Sequence, residues 1–375
     1  MLVKARVENR LAEIRTLRGV GASELARRVG VSRQTIYAIE AGTYVPNTEV
    51  ALNLARELEV PFEGLFSLQD ESGESSEPLK VEMLSGQPSA PGQAVRICQL
   101  GNNWVGVPVS ASPCFMPEAD GVVRQTGLAR GRTELTVFAK DEAAQKRLVL
   151  AGCDPATGLL SHMVEKVSGV EVVSAPASSK LALTWLCEGK VHIAGSHLED
   201  AATGEFNLPF LRRNFPGEDL TVITFAHWEE GLVIAPGNPK SIHSIADLAR
   251  PDVRFSNREP GSGSRALLDQ LLAKAGIPDA AVHGYQRIAF GHLAAAYTIL
   301  TGDADVCLAT HSAANSFGLD FIPLHRERYD LVMRRRTADM PVVKVFLDVL
   351  QRATLRRKLE VLAGYDTSET GDVVV

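Results

Sequence analysis

One stretch divides this chain. QDESGESSEPLK, residues 69–80, is polar, acidic and rich in Ser, carries Gly and Pro, and holds almost no apolar side chain. That is the composition of a linker, not of a strand or a core helix. Before it, apolar residues recur at helical spacing with no strand-like run. After it, short β-branched runs alternate with helical stretches. A chain of 375 residues broken in this way is expected to hold two or three domains. No internal repeat is evident.

Charge is distributed unevenly. The net of −6 resolves into +1 for residues 1–68, −3 for 69–80 and −4 for the rest. The first segment is not strongly basic, but a short helical domain needs only local positive charge to meet phosphates. No run approaches the roughly 18 apolar residues of a membrane span. The opening MLVKARVENRLAEIR is interrupted by charge at every turn, unlike a secretory signal, so a cytoplasmic location with no membrane partner is expected. The five cysteines (98, 114, 153, 187 and 307) show no CxxC spacing, which fits reduced, buried thiols.

Residues 1–68 read as a string of short helices. The first runs from Ala5 to Arg18, with Val7, Leu11, Ile14 and Leu17 on one face, and Gly19 ends it. ELARRVG forms a second, stopped by Gly30. Ser32 is a good N-cap for a third, RQTIYAIEAG. Pro46-Asn47-Thr48 opens a fourth, and PFEGLF closes the unit. In ASELARRVGVSRQTIYAIEAG the two helices are joined by a turn at Gly30, with Leu25, Ala26, Val31, Ile36 and Ile39 facing inward. This is helix-turn-helix spacing. It leaves Arg33, Gln34, Thr35 and Tyr37 outward near the second helix's start, where Arg and Gln suit guanine and adenine edges. An ordinary helical bundle with a solvated polar face satisfies the same periodicity.

The stretch from Leu11 to Phe66, above all Ser32 to Gly42 followed by Pro46, Leu54, Ala55, Leu58 and Leu65-Phe66, resembles the Cro/lambda-repressor-type (XRE) DNA-binding domain. The resemblance implies five helices with the third in the major groove of a double-stranded DNA operator. It makes Ser32, Arg33, Gln34, Thr35 and Tyr37 the candidate contacts.

Beyond the linker, strand-like runs (VRICQL, LTVFAK, RLVLAG, VEVVSA, VHIAG, LTVITFA, GLVIA, VRFSN and ADVCLA) alternate with helices around 159–166, 180–188, 245–248, 264–275, 292–300 and 342–364. Such alternation predicts an α/β domain with largely parallel sheets. Its size predicts two lobes. Several strands run into small polar turns and then helices. Asp154-Pro155 and Ser178-Ser179 are two such starts. Each leaves backbone N–H groups at a sheet edge, a setting for an anion. The sharpest is NREPGSGSR, 257–265, where Arg258, Ser262, Ser264 and Arg265 supply charge and hydroxyls. It is neither a Walker A loop nor a Rossmann fingerprint. A tight strand-to-helix turn with surface arginines reads equally well.

AGCDPATGLL, KVHIAGSHLEDAATGEFN, WEEGLVIAPGNPKSI, NREPGSGSRALLD, GHLAAAYTILTGDADV and GLDFIPLHRERYDL, between Arg147 and Leu331, resemble the periplasmic-binding-protein-like domain related to molybdate-binding proteins. The resemblance implies a type II bilobal fold with two crossover strands and a ligand in the cleft. Asp154, Ser179 and His197 would line it from the first lobe, and Arg258, Ser262, Ser264, Arg265 and His292 from the second, with Tyr297 as a weaker candidate. The ligand class is a small anion: molybdate, tungstate, sulfate or an organic anion. The expected organisation is therefore a helix-turn-helix domain at 1–68, a linker at 69–80, a small β-rich connector at 81–140 and a sensing domain at 141–375. The fold class is multidomain, an all-α N-terminal domain followed by an α/β bilobal domain.

The nine histidines all lie after residue 160, and their spacing matches no zinc motif, so no metal site and no cofactor are expected. No GxSxG is present, and no catalytic residues are assigned. Cys153 stands near a helix start, where a thiolate would be stabilised, but reads as a buried bystander. Trp228 before EEGL reads as core or cleft wall. The whole reads as a one-component transcription regulator, a homodimer on a two-fold operator, and not as an enzyme. Two alternatives stand beside it: a structural C-terminal module without ligand, and an enzyme of small anions.

Overall fold

The computed structural model describes residues 6–69, 78–109, 116–128, 132–138 and 142–375, in two compact units, Met1–Glu77 and Pro78–Val375. Most of the expected linker, 70–77, lies outside the described residues.

The first unit runs β1 (Arg6–Asn9), α1 (Leu11–Leu17), α2 (Ala22–Val29), α3 (Arg33–Glu40), α4 (Thr48–Glu57), α5 (Phe62–Leu65), β2 (Phe66–Gln69). Leu11, Leu25, Ile36, Ile39, Leu54, Leu58 and Leu65 are fully buried at its centre. Each contributes on the order of 1.5–3 kcal/mol relative to exposure. Gly30 ends α2 at φ 76°, the left-handed turn that glycine adopts without a Cβ penalty. Ser32 and Asn47 cap α3 and α4 by accepting the N–H groups of Thr35 and Val50. The unit is not wholly helical. The long first helix expected from Ala5 is a strand followed by a shorter helix. Asn9 interrupts it, its side chain accepting from Leu11 N–H and donating to the Ile39 carbonyl. β1 then pairs antiparallel with β2, so Gln69 belongs to this unit and not to the linker.

The second unit opens with a closed barrel, β3 (Leu79–Met83), β4 (Ala94–Leu100), β5 (Asn103–Pro108), β6 (Gly121–Gln125) and β7 (Thr133–Val137), in the order β3-β5-β4-β6-β7. Its first strand starts at Leu79, inside the stretch expected to be linker. The barrel is packed onto the bilobal part. Leu84, Cys98, Val105 and Val107 share a core with Val149, Ala151, Val173 and Trp185. Beside them Arg147 holds Asp120 at 2.8 Å and Glu171 at 2.7 Å, and Arg96 reaches the same two carboxylates.

The bilobal part follows: β8 (Leu148–Gly152), α6 (Thr157–Ser168), β9 (Val172–Pro176), α7 (Ser179–Cys187), β10 (Ile193–Ser196), α8 (Leu208–Asn214), β11 (Leu220–Ile234), β12 (Phe255–Arg258), α9 (Gly263–Ala275), β13 (Ile288–Ala289), α10 (His292–Leu300), β14 (Val306–Thr310), α11 (His311–Ser316), β15 (Asp320–Arg334), α12 (Arg335–Ala338), α13 (Pro341–Leu350) and α14 (Ala353–Lys358). The strand order is β13-β12-β14-β11-β15-β10-β8-β9. Within each lobe β8, β9, β10 and β12, β13, β14 pair in parallel. β11 and β15 run antiparallel through the middle and join the lobes. LTVITFA and GLVIA, expected as two strands, are one continuous β11 of 15 residues. Its partner β15 is equally long. A register shift in this pair falls between Glu230 and Gly231, next to Pro323. Proline is tolerated at such a bulge because no ladder donor is needed there.

Candidate functional site

The two crossover strands set the site. Trp228 lies opposite Glu327 in the ladder. Period-two alternation puts Trp228 and Glu230 of β11 on one face with Glu327 and Tyr329 of β15. All four are buried. The chain leaving β10 brings His197 onto this face, α10 brings His292 as its first residue, and the end of β8 brings Cys153.

Glu327 is hydrogen-bonded to His197 Nδ1. Cys153 Sγ lies 3.5 Å from His197 Nε2 and 3.7 Å from His292 Nε2. His292 Nδ1 is 3.9 Å from Glu230 Oε1. His292 Nδ1 and both Glu230 oxygens are buried without a hydrogen-bond partner among the described residues. Trp228, 4.8 Å from the Tyr329 ring and 5.4 Å from the His197 ring, walls the group on one side.

Burial dominates the electrostatics. It pushes Glu230 up to about 8, with Glu327 adding to the shift, and Glu327 itself up to about 7. It raises Asp154 to about 7. It holds His292 well below the usual histidine range, with Arg258 and His197 acting in the same direction. The neutral forms are favoured because burial outweighs the opposing pull of His197 on Glu230 and of Arg258 on Glu327.

The expected ligand residues divide into two groups. His197 and His292 stand at the centre. Arg258 is buried beside them but engaged: Nε and Nη2 donate to Glu259 at 3.0 and 3.1 Å, and Nη1 donates to Ser264 Oγ at 3.2 Å. Ser179 Oγ accepts the His197 N–H at 3.3 Å. Asp154 accepts from Ala156 N–H and from the Tyr365 hydroxyl at 3.1 Å. Ser262 caps α9 and donates to the Glu259 carbonyl. Arg265 turns away, ion-paired with Asp269 at 3.2 Å and stacked 3.9 Å over the Tyr285 ring. Tyr297 is half exposed and packs on Phe317. An oxyanion cradle of the kind expected from NREPGSGSR would have to draw both arginines from these partners. One arginine is neutralised by its neighbour, the other leaves, and buried carboxylates occupy the face.

Sequence reasoning left out Glu230 and Glu327 and set Cys153 aside. WEEGL and HRERYDL carried the only signal, an acidic residue inside an otherwise apolar or alternating strand. The expectation of no metal site also changes in kind. Cys153, His197 and His292 form a group whose ligand atoms lie within 4.8 Å of one another, as do His197, Glu230 and Glu327.

On the first unit, Ser32, Arg33, Gln34 and Tyr37 are exposed and Thr35 is half-buried at the start of α3. Ser32 Oγ accepts the Thr35 N–H at 3.0 Å. Arg33 donates to the Tyr37 hydroxyl at 2.8 Å. Gln34 makes no side-chain hydrogen bond among the described residues.

Comparison with known proteins agrees with both units. Residues 160–351, about half of the chain, match the PBP superfamily domain, and residues 11–65 match a helix-turn-helix family. The uncharacterized protein YvgK of Bacillus subtilis (strain 168) is 35% identical over 228 residues, 61% of this chain and 73% of its own length. The uncharacterized HTH-type transcriptional regulator YgzD of the same organism is 36% identical over 66 residues, 18% of this chain and 100% of its own. Among solved structures, the sulfate-binding protein SubI from Mycobacterium tuberculosis H37Rv superposes with a TM-score of 0.43 at 15% identity, covering 59% of this chain and 86% of that one. The chain belongs to the PBP superfamily and carries that domain behind an N-terminal helix-turn-helix domain.

Proposed function

We propose that this protein is a one-component transcription regulator. Its helix-turn-helix unit binds double-stranded DNA, as a homodimer on a two-fold operator, with Ser32, Arg33, Gln34, Thr35 and Tyr37 at the interface. Its bilobal domain senses a small ligand held between the lobes. The observation that carries this reading is the pairing, on one chain, of an exposed start of α3 with a buried polar cluster on the crossover strands. A purely structural domain gains nothing from leaving Glu230 and His292 unpartnered, because each such buried group costs about 1–3 kcal/mol. The name of YgzD, an HTH-type transcriptional regulator, supports the DNA half.

Ligand binding across the lobes is expected to change DNA affinity by about 1–3 kcal/mol, some 5- to 150-fold. The test is selection of a duplex from a random library with the full chain. Anisotropy titration at fixed salt follows, with and without molybdate, tungstate, sulfate and small carboxylates. Failure to enrich any duplex overturns the DNA half. An affinity that no added ligand or metal ion alters overturns the sensing half. The protein is read as a regulator and not an enzyme, and turnover of any panel member would overturn that.

A further inference from the structure

The interlobe cluster has the donor set of a metal site. We propose that Cys153, His197 and His292 hold a borderline-soft divalent cation, zinc, leaving its fourth position open to water or a small ligand. The inference rests on the ligand-site reading above and names its chemistry.

Spacing is the first argument. A tetrahedral zinc with Zn–S of about 2.3 Å and Zn–N of about 2.0–2.1 Å sets sulfur and nitrogen about 3.6 Å apart. Cys153 Sγ stands 3.5 and 3.7 Å from the two Nε2 atoms. The second argument is orientation. A histidine that ligates through one nitrogen donates its other N–H to a carboxylate or carbonyl, which fixes tautomer and ring. Glu327 does this at His197 Nδ1. Glu230 faces His292 Nδ1 at 3.9 Å, both atoms otherwise unpartnered, so a small shift completes the second pair. Both Nε2 atoms are thereby turned to the one sulfur.

The third argument is charge. The two histidines, Glu230 and Glu327 are essentially fully buried, and Arg258 is already matched by Glu259. Glu230 and Glu327 line the group with carboxyl oxygens and no unmatched positive charge stands beside them among the described residues, a setting for a cation and not for an added anion. Cys153 is the half-buried member, so an ion can reach the set from its side.

The test uses the full chain, reduced, stripped with a chelator and titrated with Co²⁺ as a spectroscopic stand-in, then with Zn²⁺. One cobalt per chain is expected, with the thiolate-to-cobalt charge-transfer band and tetrahedral d–d bands, both displaced by zinc. Cys153→Ser removes the charge-transfer band. Glu327→Gln retains all three ligands and weakens zinc binding about 10- to 100-fold. Absence of the band in the unaltered chain overturns the proposal, as does a band that survives Cys153→Ser. So does alkylation of Cys153 by iodoacetamide at equal rates with and without zinc, the behaviour of a nucleophile with no metal on it. If an oxyanion raises the melting temperature while cobalt gives no thiolate band, the metal fails and the sensing domain stands. If neither binds and DNA affinity never changes, the sensing reading fails as well.

Discussion

Gly263 lies against the imidazole of His197. A Cβ on Gly263 would stand 2.4 Å from His197 Cε1 and 2.9 Å from the His197 carbonyl oxygen. One residue begins α9 of the second lobe and the other follows β10 of the first. Rotation of the ring cannot relieve the carbonyl contact, so a methyl group must part the lobes or move the histidine. Gly263→Ala is expected to cost about 1–3 kcal/mol, the range for overpacking a tight interior. Urea unfolding of the full chain measures it. A variant as stable as the parent would mean that the lobes do not close on His197.

That contact also shows what the sequence could and could not reveal. GSGSR read as a turn and a cap, and both are present: Ser262 accepts the Arg265 N–H. The reason for glycine at 263 lies in a residue 66 positions earlier, which no local pattern reports. The helix-turn-helix was legible because Leu25, Ile36 and Ile39 follow helical spacing and Ser32 is a local cap. β15 was not. Pro323 and the charges of HRERYD mask a strand whose outer half is solvated and whose inner half carries Glu327 into the core. Glu230 and Glu327 look like surface residues until a partner strand and two histidines cover them. The strand at Arg6–Asn9 was lost because its partner, Phe66–Gln69, sits at the far end of the unit.

Arg147 binds the barrel to the first lobe. It is 4% exposed and bridges Asp120 and Glu171, while its Nη1 also donates to the Ile97 carbonyl at 2.8 Å. Arg147→Met leaves Asp120 and the partly exposed Glu171 to Arg96 alone and removes the donor to the Ile97 carbonyl. Loss of a charge-assisted donor with a second arginine still in place costs about 1.5–3 kcal/mol. Chemical denaturation is expected to show this loss. A separate early transition for the barrel would locate it.

His192 sets an acid limit on stability. Its Nδ1 accepts the Val149 N–H at 3.0 Å, which only the neutral ring can do. Burial pulls its pKa from 6.5 to about 4. The unfolded chain therefore takes up the proton first. The stability present above pH 6.5 declines as pH falls toward 4, by about 1.4 kcal/mol per pH unit for this group. His192→Asn keeps an acceptor and cannot titrate. Its stability profile between these limits is expected to be flatter than the parent's by that slope. Equal slopes would refute the assignment.

The DNA face separates into positions with different expected signatures. Ser32 acts on the protein, since its hydroxyl satisfies the Thr35 N–H. Ser32→Ala is expected to lower stability by about 0.5–2 kcal/mol without changing which duplex is preferred. Gln34 is exposed and without a side-chain partner among the described residues, the condition of a group free to read an adenine edge. Gln34→Ala is expected to cost about 1–3 kcal/mol on the selected duplex and to relax preference at one base pair. Arg33 is steadied by the Tyr37 hydroxyl, which holds its charge at the helix start, where the proposed docking would bring the backbone of the duplex. Arg33→Ala is expected to weaken all duplexes alike and to reduce the salt slope of binding by about 1. Anisotropy titrations at several salt concentrations, on the selected duplex and its single-base variants, distinguish these outcomes. If Arg33→Ala instead changes the preferred base and leaves the salt slope untouched, the roles of Arg33 and Gln34 are exchanged. If neither substitution changes binding, α3 is not the helix that enters the groove.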